Sequence, residues 1–380
     1  MTKNFRPALS ALFVGTLGAL FATGAAADVT VYGIIDTGLN YQHVDQDRAG
    51  TDATDQAQMK GSQTIPNRWG LKGTEDLGSG LTAGFMLEGQ FGSDDGTMTG
   101  GRLFHRVSQL ELGSDRAGTL ILGRSGALRS GFGTTGIWAA KLNPFSNSWG
   151  DYLGGTKYTM PGGFKAIDNA ITYRSPVWSG VQLYAQYSLK SNSSGAGTEG
   201  KASSDRQWGL GATYTAGNLH LAAVVDSILY ANTADDYDDS IAVSLGGHYN
   251  FGVAKVYASG MYFGGMKGSE FQGDQGKFNV LAAGATYKGA SLLLGADLPA
   301  GPGTFKASLG YMSAKLDRVM GHRAEIEGDG DLDRYNVGVG YEFPLSKRTK
   351  LYAGAGWAGE SSDERDPSAY EVLAGLMTRF

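Results

Sequence analysis

Residues 126 to 167 gather Arg129, Trp138, Lys141, Phe145, Trp149, Asp151, Tyr152, Lys157 and Lys165 in a run that shows neither sustained alternation nor a helical stripe. A loop of about forty residues is rare in a compact domain unless it is functional. Four cations stand against one carboxylate here, among large rings, a mixture suited to meeting solutes. The rings Trp138, Phe145, Trp149 and Tyr152 fit pins that hold the loop to a wall better than a slide for sugars, because buried rings supply large apolar contact.

Other constellations point away from bond chemistry. The five histidines, His43, His105, His220, His248 and His322, lie in separate segments, with no HExxH pair for a metal. A membrane-embedded hydrolase needs a histidine, a nucleophile and an orienting group converging on one side, and no recognisable motif supplies them. Gly131, Gly133 and Gly136 spell the dinucleotide fingerprint, but no βαβ unit surrounds them, so they read as loop glycines. Asp329, Asp331 and Asp333 mimic the start of an EF-hand. Arg334 then occupies the turn glycine's place, and Gly340 stands where the final Glu is needed. No catalytic residue, metal or cofactor is expected. The acidic groups Asp235, Asp236, Asp238 and Asp239, and Glu325, Glu327, Asp329, Asp331 and Asp333, read as a soluble rim. The alternative is divalent-cation bridging to lipopolysaccharide phosphates, since calcium prefers carboxylate oxygens.

The elements that must position this loop begin after a leader. Lys3 and Arg6, an apolar run from Ala8 to Ala22 and small residues at Ala25 and Ala27 have the layout of a cleaved secretory signal, 1–27, with the cut before Asp28. The apolar run is short of the ~20 residues a membrane anchor needs. Loss of its two cations leaves 30 basic against 37 acidic residues, a formal charge of −7, which disfavours nucleic acid as a partner. There is no cysteine to staple the fold. Sixty glycines, nineteen tyrosines and sixteen phenylalanines with only nine prolines suit many short strands and tight turns.

From Asp28 to the end, apolar and polar residues alternate at period two. Val29, Val31 and Ile35 oppose Thr30, Tyr32 and Asp36; Ile65, Trp69 and Leu71 oppose Arg68 and Lys72; Leu81, Phe85 and Leu87 oppose Thr82 and Glu88. Val181, Leu183, Ala185 and Tyr187 oppose Gln182, Tyr184 and Gln186, and Leu292, Leu294 and Leu298 oppose Ser291 and Asp297. Long polar connections (42–63, 92–101, 126–167, 191–204, 231–238, 264–289, 315–333 and 358–367) alternate with short ones. The pattern predicts sixteen strands with every long loop at one end. An even count with short turns on one side is the habit of bacterial outer-membrane barrels. Closure also satisfies every backbone donor and acceptor in a bilayer. The fold class expected is all-β: a 16-stranded antiparallel transmembrane barrel, 28–380, with the third long loop, 126–167, folded into the lumen. Residues 277–288 resemble a further strand and are read as structure within the sixth long loop or an extension of a neighbouring strand.

The stretches DVTVYGIIDTGLNY, NRWGLKGTEDLGSGLTAGFMLEGQF, LILGR, ITYRSPVWSGVQLYAQY, YEFPLSKRTKLYAGAG and the closing LAGLMTRF resemble the general diffusion porins of Gram-negative bacteria, especially the betaproteobacterial and neisserial type. The resemblance implies a homotrimer in the cell outer membrane, in contact with lipid and lipopolysaccharide. Its third loop would form a constriction faced by wall arginines, and small hydrophilic solutes and ions would diffuse through passively. Arg68 and Arg124 match arginines that line the family's constriction. Parity turns Arg68 inward, whereas Arg124 shares a face with Leu120 and Leu122 and must sit past the strand's regular end or behind a bulge. Arg106 has the same difficulty beside Leu110 and Leu112, and Arg174 lies on lumen-facing parity. The expected constriction set is Arg68, Lys72, Arg106, Arg124, Arg129, Asp151, Arg174 and Glu88. Where many relatives have an acidic stretch in this loop, the chain has Asn143-Pro144-Phe145, so the narrowing should be net positive and mildly anion-selective. The alternatives are a substrate-specific channel for a sugar or organic anion, and a non-conducting adhesin or structural barrel. No enzymatic activity is expected.

Overall fold

The computed structural model describes residues 28–146, 148–162, 165–232, 237–271, 278, 284–319, 330–363 and 365–380. The expected signal segment, His322, Asp235 and Asp236, residues 325–329 and most of 277–284 lie outside the described residues.

Seventeen strands follow one another: β1 (Thr30–Asp45), β2 (Thr54–Gly61), β3 (Arg68–Gly78), β4 (Leu81–Gln90), β5 (Val107–Ser114), β6 (Gly118–Gly126), β7 (Ala166–Arg174), β8 (Val181–Ser188), β9 (Arg206–Ala216), β10 (Leu219–Leu229), β11 (Ile241–Asn250), β12 (Lys255–Lys267), β13 (Ala285–Ala300), β14 (Gly303–Val319), β15 (Asp331–Pro344), β16 (Thr349–Ser362) and β17 (Ser368–Arg379). Apart from β2 and β3, consecutive strands pair antiparallel. β1 closes the ring on β17, from Ile34 opposite Arg379 to Asp45 opposite Ser368. The terminal Phe380 seals the seam by exchanging backbone hydrogen bonds of 3.1 Å with Gly33 in both directions. One stave is made of two segments, because β1 pairs β3 over Thr30–Ile34 and β2 over Thr37–Val44. The result is the expected closed barrel of sixteen staves.

The alternation read from the sequence is the division between the two faces. Leu110, Leu183, Leu210, Leu245, Leu292, Leu309 and Val372 all point outward and are exposed, while Gln109, Gln186, Ser244, Ser291, Ser308 and Glu371 beside them are buried. An exposed apolar band that goes round the molecule exceeds anything a monomeric soluble protein tolerates, and it fits contact with lipid. No described helix is long and apolar enough to cross a membrane, which says nothing of strands.

Two expectations need correction. Residues 42–63 are not all loop: β1 runs to Asp45, and β2 occupies Thr54–Gly61. The strands rise beyond the apolar band, where water replaces lipid and the outward face no longer has to be oily. Asp55 on β2 accordingly pairs with Tyr41 and His43 in the open. The same applies to β14 and β16, which run on to Val319 and Ser362. Residues 285–288, read with the sixth long loop or as an extension of a neighbouring strand, are the first residues of β13, at its long-loop end, so the extension reading holds there.

Candidate functional site

The stretch between β6 and β7 lies against inward-parity residues on strand after strand. Leu128 and Ile137 rest on Gly211 of β9, Leu142 on Gly246 of β11, Pro144 on Gly295 of β13, and Phe145 and Trp149 on Gly340 of β15. A Cβ at Gly340 would stand 2.6 Å from the Trp149 ring, and one at Gly356 would stand 2.7 Å from the Leu153 backbone. These glycines make the wall shallow enough to seat a loop. Trp138, Phe145 and Tyr152 have no exposed surface, and Trp149 is 3% exposed. The rings are therefore pins, as their type suggested.

Polar contacts fasten the far end. Glu371 on β17 accepts the backbone N–H groups of Asp151 and Tyr152 at 2.7 and 2.8 Å. A short helix, α1 (Gly155–Thr159), packs on β14 and β15. Ser291 donates to the Thr159 carbonyl at 2.5 Å, and Arg334 donates to the Tyr158 carbonyl at 3.2 Å. Arg334 in turn pairs with Glu360 at 2.7 Å.

The remaining charges fall into a repeated arrangement in which one carboxylate serves two cations. Glu88 on β4 meets Arg106, and Arg68 at 3.7 Å; it also accepts from Tyr32 at 3.0 Å. Asp168 on β7 meets Arg124 at 2.5 Å and Arg102 at 2.8 Å. Asp151 in the loop meets Lys60 at 2.6 Å and Lys157 at 3.1 Å. Burial would raise the Asp151 carboxyl, but the Lys157 and Lys60 ammoniums win and hold it well below the usual carboxylate range. His105, in the loop before β5, is kept below its ordinary value by burial and then by the surrounding Arg124, Arg106 and Arg102 guanidiniums. Two further carboxylates, Asp36 and Glu371, have no exposed surface and are saturated by neutral donors. Asp36 accepts from the Thr64 N–H at 2.7 Å, the Ile65 N–H at 3.0 Å and the Tyr352 hydroxyl.

Each residue of the expected constriction set can now be placed. Arg68, Arg106 and Glu88 come together on one wall, with the Arg106 guanidinium 4.4 Å from the centre of the Phe132 ring in the loop. Arg106 precedes β5, past the strand's regular end. Arg124 sits at a register shift between Gly123 and Ser125, with Gly123 at φ 125°, so a bulge turns it away from the Leu120–Leu122 face. Arg174 faces Glu111 at 3.7 Å. Lys72 stands apart from these pairs, 5.5 Å over the Tyr32 ring. Arg129 is not where a pore-lining cation would be. Its side chain has no exposed surface and is clamped by Asp226 of β10 at 2.9 Å and by the Pro161 carbonyl at 3.0 Å. Asp151 is likewise not an open negative pole, because two ammoniums cover it.

The sequence reading missed Arg102, Asp168, Lys60 and Glu371. Lys60 falls in the 42–63 connection, and Arg102 just past the end of the 92–101 one. Asp168 lies on β7 and Glu371 on β17, both outside the expected constriction set. Parity alone could have nominated Glu371, but its partner lies 220 residues away. Among the described residues no group of three or more His, Asp or Glu side chains could hold a metal ion.

The closed barrel is matched by comparison with known proteins. The model of the Gram-negative porin family matches residues 10–363. The chain belongs to the Gram-negative porin family. The porin is 31% identical to an outer membrane porin protein of Bordetella pertussis over 98% of both chains. It is 33% identical to outer membrane porin protein 32 of Delftia acidovorans, over 88% of this chain and 86% of that one. Among solved structures it is similar to an anion-selective porin from Comamonas acidovorans, with TM-score 0.68 and 25% identity over 93% of this chain and 100% of that one. The porin is thus a multi-pass barrel of the outer membrane and forms a diffusion channel.

Proposed function

We propose that this porin is an anion-preferring diffusion channel for small hydrophilic solutes, narrowed by the 126–167 loop. The observation that carries the reading is the two-to-one ratio of cations to carboxylates at Glu88, Asp168 and Asp151. A carboxylate shared by two cations leaves net positive charge, and a ring of one sign selects permeant ions through its potential. The loop rests on glycines of β9, β11, β13, β15 and β16, and solutes that pass it meet a wall that carries Arg68, Arg102, Arg106, Arg124 and Arg174. Their carboxylate partners hold these guanidiniums in place without neutralising them as a group, and the polar field disfavours apolar solutes. The similarity to an anion-selective porin supports the same sign.

We also propose cleavage of residues 1–27 on export, and a homotrimer whose outer apolar band meets lipid and lipopolysaccharide. One similar solved structure is described as a trimer form of OmpT of Vibrio cholerae, at TM-score 0.61 and 15% identity. The reversal potential of the purified protein in a planar bilayer, under a potassium chloride gradient, tests the selectivity. Chloride is expected to permeate faster than potassium, and cation preference overturns the reading.

A further inference from the structure

At the short-turn end of the barrel, beneath the loop, a cavity of about 380 Å³ is lined by Lys141, Thr215, His220, His248, Lys255 and Tyr257. Four strands supply its walls, β9 through β12, and the loop supplies Lys141. The polar groups are held in place. His220 and His248 stack with ring centres 5.2 Å apart, and the Thr215 hydroxyl lies 2.9 Å from His220 Nδ1. His248 Nδ1 donates to the Lys141 carbonyl at 3.1 Å, which ties the loop to the wall and directs the Lys141 side chain from a fixed backbone. Lys255 Nζ sits 4.9 Å from the Tyr257 ring centre.

The charge balance here differs from that of the arginine wall. Among the described residues no carboxylate comes within 4 Å of the Lys141 or Lys255 ammonium, whereas each wall arginine named above has one. Asp297, the carboxylate that acts on Lys255, is already bound by Lys306 at 3.0 Å and by the Tyr257 hydroxyl at 2.7 Å. A second cavity of about 540 Å³ continues from the other side of Lys141 and brings in Arg174 and Gln182. Among the described residues Asp115 lines the second cavity, and Glu111 on Arg174, Asp297 and Glu342 border the two, the last two sharing Lys306.

We propose that Lys141 and Lys255 form a discrete binding station for a small oxyanion of two negative charges, of the size and charge of hydrogen phosphate, on the short-turn side of the loop. The proposal rests on the anion-preferring reading but names a place apart from the arginine wall. A dianion can accept from two ammoniums at once, while chloride offers a single charge to one or the other. Lysine suits a station on a conduction path, because its ammonium is a mobile point charge that follows an ion and releases it, where an arginine fork fixes geometry. Binding must be strong enough to recruit the ion and weak enough to let it leave.

The test is chloride current through the purified porin in a planar bilayer, at constant ionic strength, as chloride is replaced by sodium phosphate near neutral pH. Phosphate is expected to reduce the current with saturation. Each substitution removes a hydrogen bond to a charged group, so Lys141→Ala and Lys255→Ala should each raise the half-blocking concentration about tenfold or more. Lys141→Arg and Lys255→Arg should keep it within a few-fold, which separates charge from fold damage. Arg124→Ala should lower chloride preference and leave the half-blocking concentration unchanged. A block that does not saturate, or that moves with Arg124 rather than with the two lysines, overturns the station and leaves the channel reading standing. Absence of any chloride current overturns both.

Discussion

Replacing Glu371 with Gln isolates the fastening of the loop from the integrity of the barrel. The side chain keeps its shape and stays on β17, but it loses its charge and one of its two acceptor oxygens. In the native porin one oxygen takes the Asp151 and Tyr152 N–H groups, and the other takes Asn40 Nδ2 at 2.5 Å. The carboxylate has no exposed surface, so water does not compensate. Gln can serve the two loop amides as a neutral acceptor or serve Asn40, not both, and its own NH2 then faces a donor. Bonds to a charged acceptor contribute roughly 1.5–3 kcal/mol each, and neutral ones about half that. Local opening of the loop end should therefore become easier by about 2–4 kcal/mol, the packing of Phe145, Trp149 and Leu153 being unchanged. At about 1.4 kcal/mol per decade this is roughly a 30- to 1,000-fold rise in amide exchange at Asp151 and Tyr152, with strand amides unaffected. Hydrogen exchange with mass-spectrometric readout on the detergent-solubilised barrel measures it. Single-channel records should show added current noise with a barrel of unchanged size. Exchange within threefold of wild type at both residues refutes the latch.

Arg129→Ala should destabilise the porin by about 3–5 kcal/mol, because it strands the Asp226 carboxylate in a site where the pair is 0% and 3% exposed. The unfolding midpoint in denaturant should fall, and Arg129→Ala with Asp226→Ala should recover part of the loss. Arg124→Ala leaves Asp168 with Arg102 alone, which takes that group from net positive to neutral. A unit charge at ~6 Å in a water-like medium acts with about 0.7 kcal/mol, and screening at 0.1 M cuts this to about 0.4. Anions lose and cations gain that amount, so the chloride-to-potassium permeability ratio should drop roughly fourfold in a reversal-potential measurement. The Asp151 carboxyl is depressed by Lys157 and Lys60. Its contribution is present above the unfolded value near ~4 and is lost only as pH falls through the lower folded value. Protease resistance of the loop should therefore be constant from about pH 8 to 5 and decline only below about pH 4, a decline that Asp151→Asn should abolish.

The sequence by itself determined the wall. A strand repeats every two residues, so which side chain meets lipid and which meets the bore is a local property, legible in Leu292, Leu294 and Leu298 against Ser291 and Asp297. The alternation of long and short connections then set the number of staves, and parity put Arg68 and Arg174 on the bore-facing side and required Arg124 to sit past its strand's regular end or behind a bulge. Only the tertiary structure decided which charges neutralise one another. Arg129 and Asp226 are 97 residues apart, and Asp151 and Glu371 are 220 apart, so no local pattern couples them. Arg129 looked like a pore cation and is a buried clamp; Asp151 looked like a negative pole and is covered by Lys60 and Lys157. Likewise Gly340 and Gly356 are ordinary strand glycines in sequence and become a seat only when the loop crosses to them. Periodicity fixes direction within a strand, but an ion pair depends on distance, and distance across a barrel is settled only when the ring closes.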